Sequence, residues 1–294
     1  MDKKKQLTAY FALISGILAL SLSALFVRWA DAPGLVTTCY RMIIAAFVFG
    51  IIFWRQPGTL RKSMLKWWYF PLLGGLFSAL DHGLWSTAVN LTQMGNATLF
   101  NNLAPLWVSL AAVLIWKEKL GKWFWFGLLL TLSGALVVLG TNLLNNPQFS
   151  NGDILALISS LFYAMYYLNT QKSRQVLNTI SYVFGSTLTT ALILWTYCFL
   201  NGYQLFGYDP NTYLAFLGAA LISQVIGYFS IGYALGNLPA AIVSPTMITQ
   251  PVITALLAIP LAGELLLTGQ WIGGFVTLLG IFFINRSWTK NQPH

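Results

Sequence analysis

Apolar residues along the chain fall into ten long runs separated by short polar or charged stretches, and this spacing predicts an all-α membrane protein. A helix needs roughly 20 apolar residues to cross about 30 Å of hydrocarbon. The predicted spans are 7–27, 35–54, 67–91, 95–116, 123–141, 153–170, 179–200, 212–234, 240–261 and 268–286. Between them stand turn formers, such as Asp31-Ala32-Pro33-Gly34, Gln56-Pro57-Gly58 and Asn145-Asn146-Pro147. Lys3, Lys4 and Lys5 before the first run have the form of a signal sequence. Ala-Leu-Ile-Ser at 12–15 recurs at 156–159, however, so the run is read as the first span.

The polar interruptions repeat. The stretch Asn101–Gly134 aligns without a gap on Met247–Gly280, pairing Pro105 with Pro251, Glu118 with Glu264, Trp125 with Trp271, Gly127 with Gly273, Thr131 with Thr277 and Gly134 with Gly280. The chain therefore reads as two five-helix repeats, 1–145 and 146–294, in one membrane domain. Five is odd, so the second repeat is predicted to be inverted relative to the first, the arrangement of many secondary transporters.

Composition agrees: 57% of residues are apolar, 8% are charged, and the mean hydropathy is +0.68, where a soluble domain carries about 25% charged residues. The net charge of +9 would suit a nucleic-acid or head-group binder. The positions of the charges favour orientation instead. Of the 16 Lys and Arg, all but Arg28 and Arg41 fall between spans on the side shared with the amino terminus, which predicts a multi-pass plasma (inner) membrane protein with both termini cytoplasmic. Cys39 and Cys198 lie singly in apolar runs and form no metal or disulfide pattern. Neither a hydrolase motif nor a phosphate-cradling loop occurs, so no cofactor, metal or enzymatic activity is expected.

Candidate chemistry lies inside the spans. Asp81 and His82 fall near mid-membrane in the third span, where an ionisable side chain is a site hypothesis by default. Arg41 in the second span is a possible ion-pair partner for Asp81, so both a structural charge pair and proton handling stay open. His82 is read as packing. Pro105 and Pro251 each remove a backbone donor, freeing the carbonyls of Asn101 and Met247, and are expected to kink the fourth and ninth spans as hinges. Asn101, Asn102 and Gln250 surround those kinks. Tyr163 and Tyr167 share a helix face with Thr170. Glu118 and Glu264, at span ends, are expected to fix turns by capping the following helix.

The chain resembles the EamA-type members of the drug/metabolite transporter superfamily over nearly its whole length. The likeness rests on the two Pro-to-Glu blocks, Ala-Gly-Glu-Leu at 262–265, Gln-Trp-Ile-Gly-Gly at 270–274, Tyr-Ala-Leu-Gly-Asn-Leu-Pro-Ala-Ala at 233–241 and Tyr-Arg-Met-Ile-Ile-Ala-Ala at 40–46. It implies ten helices in two inverted repeats around a central cavity, the fifth and tenth lying outside. Asp81, Trp85, Asn101, Asn102, Tyr163, Gln224 and Gln250 would then be cavity candidates. Lys-Glu-Lys at 117–119 departs from the family's more usual Gly-Glu. The implied activity is secondary transport, with export of small metabolites such as amino acids by alternating access. Flipping of a lipid-linked or nucleotide-linked sugar is the alternative, with an intramembrane enzyme as the more distant one. Expected partners are a small-molecule substrate, the bilayer and protons, with no nucleic acid.

Overall fold

The computed structural model describes residues 3–139, 149–262 and 267–290, and every regular element among them is helical. In order they are α1 (Lys3–Ser21 continuing as Ser23–Trp29), α2 (Gly34–Trp54), α3 (Gly58–Lys66), α4 (Tyr69–Leu91) and α5 (Met94–Asn101 and Ala104–Leu114), then α6 (Lys122–Leu139), α7 (Asn151–Ser173) and α8 (Thr179–Leu200). Next come α9 (Pro210–Gly218, the π-helical Ala219–Tyr228 and Phe229–Leu235), α10 (Ala240–Thr246 and Thr249–Ala262) and α11 (Thr268–Lys290). The predicted repeat boundary at 145 and the matched Glu264 lie outside the described residues.

Among these helices, eight are long and apolar enough to cross a membrane: α1, α2, α5, α6, α8, α9, α10 and α11. The sequence pattern predicts ten. The difference comes from α4 and α7, each 23 residues long but more polar. These two pack along one another and bury Ser78, Asp81, Ser159 and Ser160. Hydropathy drops where the interior is hydrophilic.

The equivalent helices α6 and α11 meet through their matched glycines. A Cβ on Gly127 would lie 2.6 Å from the Gly280 carbonyl, and one on Gly134 would lie 2.6 Å from that of Gly273. Rising numbers on one helix thus meet falling numbers on the other, so these two equivalent helices run antiparallel, as an inverted repeat requires. Thr131 and Thr277 stand in the seam against Gly280 and Gly134, and their hydroxyls are satisfied within their own helices by the carbonyls of Gly127 and Gly273 (2.8 and 2.9 Å). Close approach of backbones is how helices gain packing energy in lipid. The outward faces carry Trp123, Leu129, Trp271 and Phe275, all exposed.

Three helices are interrupted, and α1 and α10 satisfy each other at their breaks. The carbonyls near the α1 break accept from α10: Leu20 from Gln250 Nε2 (3.2 Å) and Ser21 from Thr254 Oγ1 (2.9 Å), while Ser21 Oγ donates to the Gln250 carbonyl (3.3 Å). Buried backbone groups require such partners. The expected proline kinks are full interruptions: Pro105 stands in the first turn of the second half of α5, and Pro251 is the third residue of the second half of α10. Proline lacks an N–H and suits a helix start, so each residue begins a helix where a bend within one was predicted.

The turn after α5 also differs from expectation. Lys117 takes a left-handed φ of 55°, the conformation natural to glycine, and the Glu118 N–H donates to the Ala112 carbonyl at 3.0 Å. The turn is closed by backbone. Glu118 Oε2 is buried without a partner, so its carboxylate does not form the expected cap.

Candidate functional site

A cavity of about 500 Å³ lies between the two repeats. It reaches the bundle end where α1 and α6 finish and α2 and α5 begin, since Val27, Gly34, Met94 and Leu139 line it. Toward the opposite, lysine-rich end it stops at a buried cluster that includes Leu13, Ile17, Val108, Tyr166, Tyr167 and Leu235.

Of the residues chosen from sequence, Asp81, Trp85, Asn101, Asn102, Tyr163, Tyr167, Gln250, Arg41, Pro105 and Pro251 all line this cavity. Gln224 does not. It lies buried in the π-helical part of α9 with Oε1 unpartnered.

Asp81 is the centre of a polar cluster on α4, α5 and α7. Its Oδ1 accepts from Asn101 Nδ2 (2.8 Å) and Ser159 Oγ (2.6 Å), and Asn101 Nδ2 also donates to Ser159 Oγ (2.7 Å). Asn101 is the last residue before the α5 break, so the break places an amide at this crossing. Trp107 Nε1 adds a bond to Ser160 Oγ (2.8 Å), joining the second half of α5 to α7. A carboxylate holding donors from two other helices fixes their relative position.

The proposed contact between Arg41 and Asp81 is not direct. His82 stands between them: its Nδ1 lies 2.8 Å from the Ser78 carbonyl, which accepts only, so Nδ1 carries the proton. Nε2 is then an acceptor and takes a bond from Arg41 Nη2 (2.9 Å). Arg41 Nη1 donates to Ser23 Oγ (2.8 Å), and His82 Nδ1 lies 3.7 Å from Asp81 Oδ2. The neighbouring histidine reaches Arg41 because it sits one position further along α4, so its expected role as packing is corrected. Tyr167 donates its hydroxyl to that of Tyr163 (2.7 Å), but Thr170 pairs with the Tyr182 hydroxyl instead (2.7 Å). Asn102 turns back on its own helix, to the Thr98 carbonyl (2.9 Å).

Sequence reasoning passed over Ser23 and Ser159. Serine is common in apolar helices, and Ser159 entered only as part of a repeated tetrapeptide. The adjacent pair Ser159 and Ser160 in an otherwise apolar run was the available signal. Among the described residues, no cluster of three metal-ligating side chains occurs.

A largely apolar cavity that holds a charged and hydrogen-bonded polar cluster, walled by both halves of a duplicated helical chain, is the arrangement of a membrane transport protein. The model of the EamA-like transporter family matches residues 7–140 and again 150–286; the chain belongs to that family and is a multi-pass membrane transporter. It is similar to the uncharacterized transporter YdfC of Bacillus subtilis (strain 168), 22% identical over 72% of this chain and 69% of that protein. It is also similar to the uncharacterized transporter sll1164 of Synechocystis sp., 22% identical over 76% and 67%. An uncharacterized transporter of Helicobacter pylori (strain J99) is 25% identical over 54% of this chain and 53% of that one. A solved crystal structure, 19% identical, superposes with a TM-score of 0.79 over 97% of this chain and 99% of the other, and shares the fold.

Proposed function

We propose that the protein is a secondary active transporter of the plasma (inner) membrane that exports a small polar or amphipathic metabolite, such as an amino acid, by alternating access. In this reading α4 and α7 complete ten spans, both termini are cytoplasmic, and the cavity opens outward. The observation that carries it is the cavity itself, built by both repeats and closed at one end only. Rocking of the repeats about the breaks of α5 and α10 would close one end and open the other. Asp81, held by Asn101 and Ser159, would couple that motion to substrate or proton binding.

Two features weigh against the alternatives. The apolar groove between α2 and α8, lined by Ile43, Gly50, Phe184 and Leu188, shares no lining residue with the cavity, whereas a lipid-linked flippase needs a lateral opening into it. An intramembrane enzyme needs a second free ionisable group beside Asp81, and both ring nitrogens of His82 are engaged. The test is proton-dependent flux of amino acids in liposomes reconstituted with purified protein. Wild type is expected to support it and Asp81→Asn to abolish it while remaining folded; undiminished flux in that variant removes Asp81 from the mechanism.

A further inference from the structure

We infer that Arg41 is an anion-recognition residue, and that the substrate carries an acidic group which binds against its guanidinium. This rests on the transporter reading and names the chemistry of the same cavity. Arg41 is 7% exposed and lines the cavity. Its two bonded partners are neutral: the Ser23 hydroxyl on α1 and the lone pair of neutral His82 on α4. A guanidinium offers five N–H groups. One from each of Nη1 and Nη2 is committed, and Nε has no partner. A buried cation without a contacting anion is costly.

The one carboxylate in the cavity lining does not fill that role. Asp81 spends Oδ1 on Asn101 and Ser159, and its Oδ2 faces His82 at 3.7 Å. His82 therefore separates the two charges. The remaining groups near the guanidinium side of the cavity, Tyr163, Tyr228 and Thr38, are neutral hydroxyls. Ser244, also lining the cavity, has a buried hydroxyl without a partner. A carboxylate-bearing ligand would supply acceptors to the unused guanidinium donors in a forked geometry, and Trp85, Tyr163 and Tyr228 offer ring faces and edges to an apolar body.

The experiment compares triplets on one skeleton: benzoate, benzamide and benzylamine, then hexanoate, hexanamide and hexylamine. Thermal stabilisation of the purified full-length protein is measured for each. A ligand preferring the folded state raises the apparent melting temperature. The acids are expected to stabilise wild type in a saturable way, the amides and amines not. Arg41→Gln should lose the acid response, and Arg41→Lys, which keeps the charge but not the fork, should weaken half-saturation about tenfold. Equal stabilisation of wild type and Arg41→Gln by the acids, stabilisation by the amines, or no response to either acid overturns the inference. Should Arg41→Gln fail to fold, protection of Arg41 from phenylglyoxal modification by the same acids in wild type decides, read by mass spectrometry; absence of protection overturns it. Liposome flux separates the two readings: acid binding without flux leaves the anion site standing and removes the transporter reading, whereas amine flux without acid binding does the reverse.

Discussion

The crossing of α4 with α7 and the crossing of α9 with α1 occupy matching places in the two repeats, yet they are held together by different means. The register that pairs Asn101 with Met247 pairs Asp81 with Gly227 and His82 with Tyr228. Where Asp81 joins Ser159 and Asn101 through hydrogen bonds of 2.6 and 2.8 Å, Gly227 instead faces Gly16. A Cβ on Gly16 would lie 3.2 Å from the Gly227 carbonyl and 2.7 Å from Ile231 Cδ1. Beside the cavity the first crossing is closed by a cluster of polar side chains, with close packing only at its end, where a Cβ on Gly152 would lie 2.9 Å from the Ala88 carbonyl; the second is closed mainly by packing, with one hydrogen bond from Ser223 Oγ to the Ala19 carbonyl (3.2 Å). An intramolecular hydrogen bond nets only about 0.5–1.5 kcal/mol because water competes for it, so a polar crossing can change partners cheaply. A packed crossing has no such alternative. The difference teaches that the α4–α7 side is equipped to rearrange and the α1–α9 side to stay.

The sharpest way to break this comparison is to transplant the polar residue. Gly227→Asp introduces a carboxylate whose Cβ would sit 2.9 Å from Leu20 Cγ, combining overpacking with an unpaired buried charge. No folded protein is expected in detergent by size exclusion; a stable, monodisperse variant would refute the packed reading. Next in size, Asp81→Ala leaves Asn101 and Ser159 short of an acceptor and should cost about 1–3 kcal/mol, measured by reversible unfolding in mixed micelles. An unchanged midpoint would show that the cluster holds nothing.

Pro105→Ala and Pro251→Ala test whether the two breaks act alike. Each restores a backbone donor in a break, and turnover in liposomes should fall several-fold while half-saturation changes less. Unchanged turnover in both would end the hinge role.

These variants also mark how far the sequence alone could reach. The duplication and its matched glycines and threonines were legible, because that spacing survives duplication when backbones must approach closely, but that α6 and α11 meet each other there was not. The cavity residues on α4, α5 and α10 were legible too, since polar groups and prolines stand out in apolar runs. The partner of Arg41 was not. Whether a guanidinium meets residue 81 or 82 depends on a rotation of about 100° around α4, the angle between successive residues at 3.6 per turn, and no apolar pattern specifies it that finely. The full breaks at Asn101–Ala104 and Thr246–Thr249 were likewise hidden, because a proline is compatible with either a kink or a fresh start.

Two smaller predictions concern the turn that ends α5, whose counterpart has Gly263 where this one has Lys117. Lys117→Gly should stabilise by about 1 kcal/mol, the usual cost of a left-handed L residue; a loss of stability would mean that the lysine side chain contributes more than its backbone costs. Glu118, in the same turn, has its carboxyl pushed above the ordinary 4.5 by burial. The folded state therefore favours its protonated form, and the associated stability is present below the ordinary value and lost as pH rises through the raised one. Glu118→Gln should flatten that decline and match or slightly exceed wild type at neutral pH. A steeper decline in the variant would contradict the burial.

The glycine seam between α6 and α11 carries a further meaning. Gly127 meets Gly280 while Gly134, its counterpart, meets Gly273, and Thr131 approaches Gly280 as Thr277 approaches Gly134. Residue i touches j of the other repeat and j touches i, which is the rule for a two-fold interface between identical subunits. The two copies of this stretch therefore present the same surface to one another, related by a local two-fold axis that passes between α6 and α11, so a substitution at Gly127 and one at its counterpart Gly273 meet equivalent backbone on the facing helix.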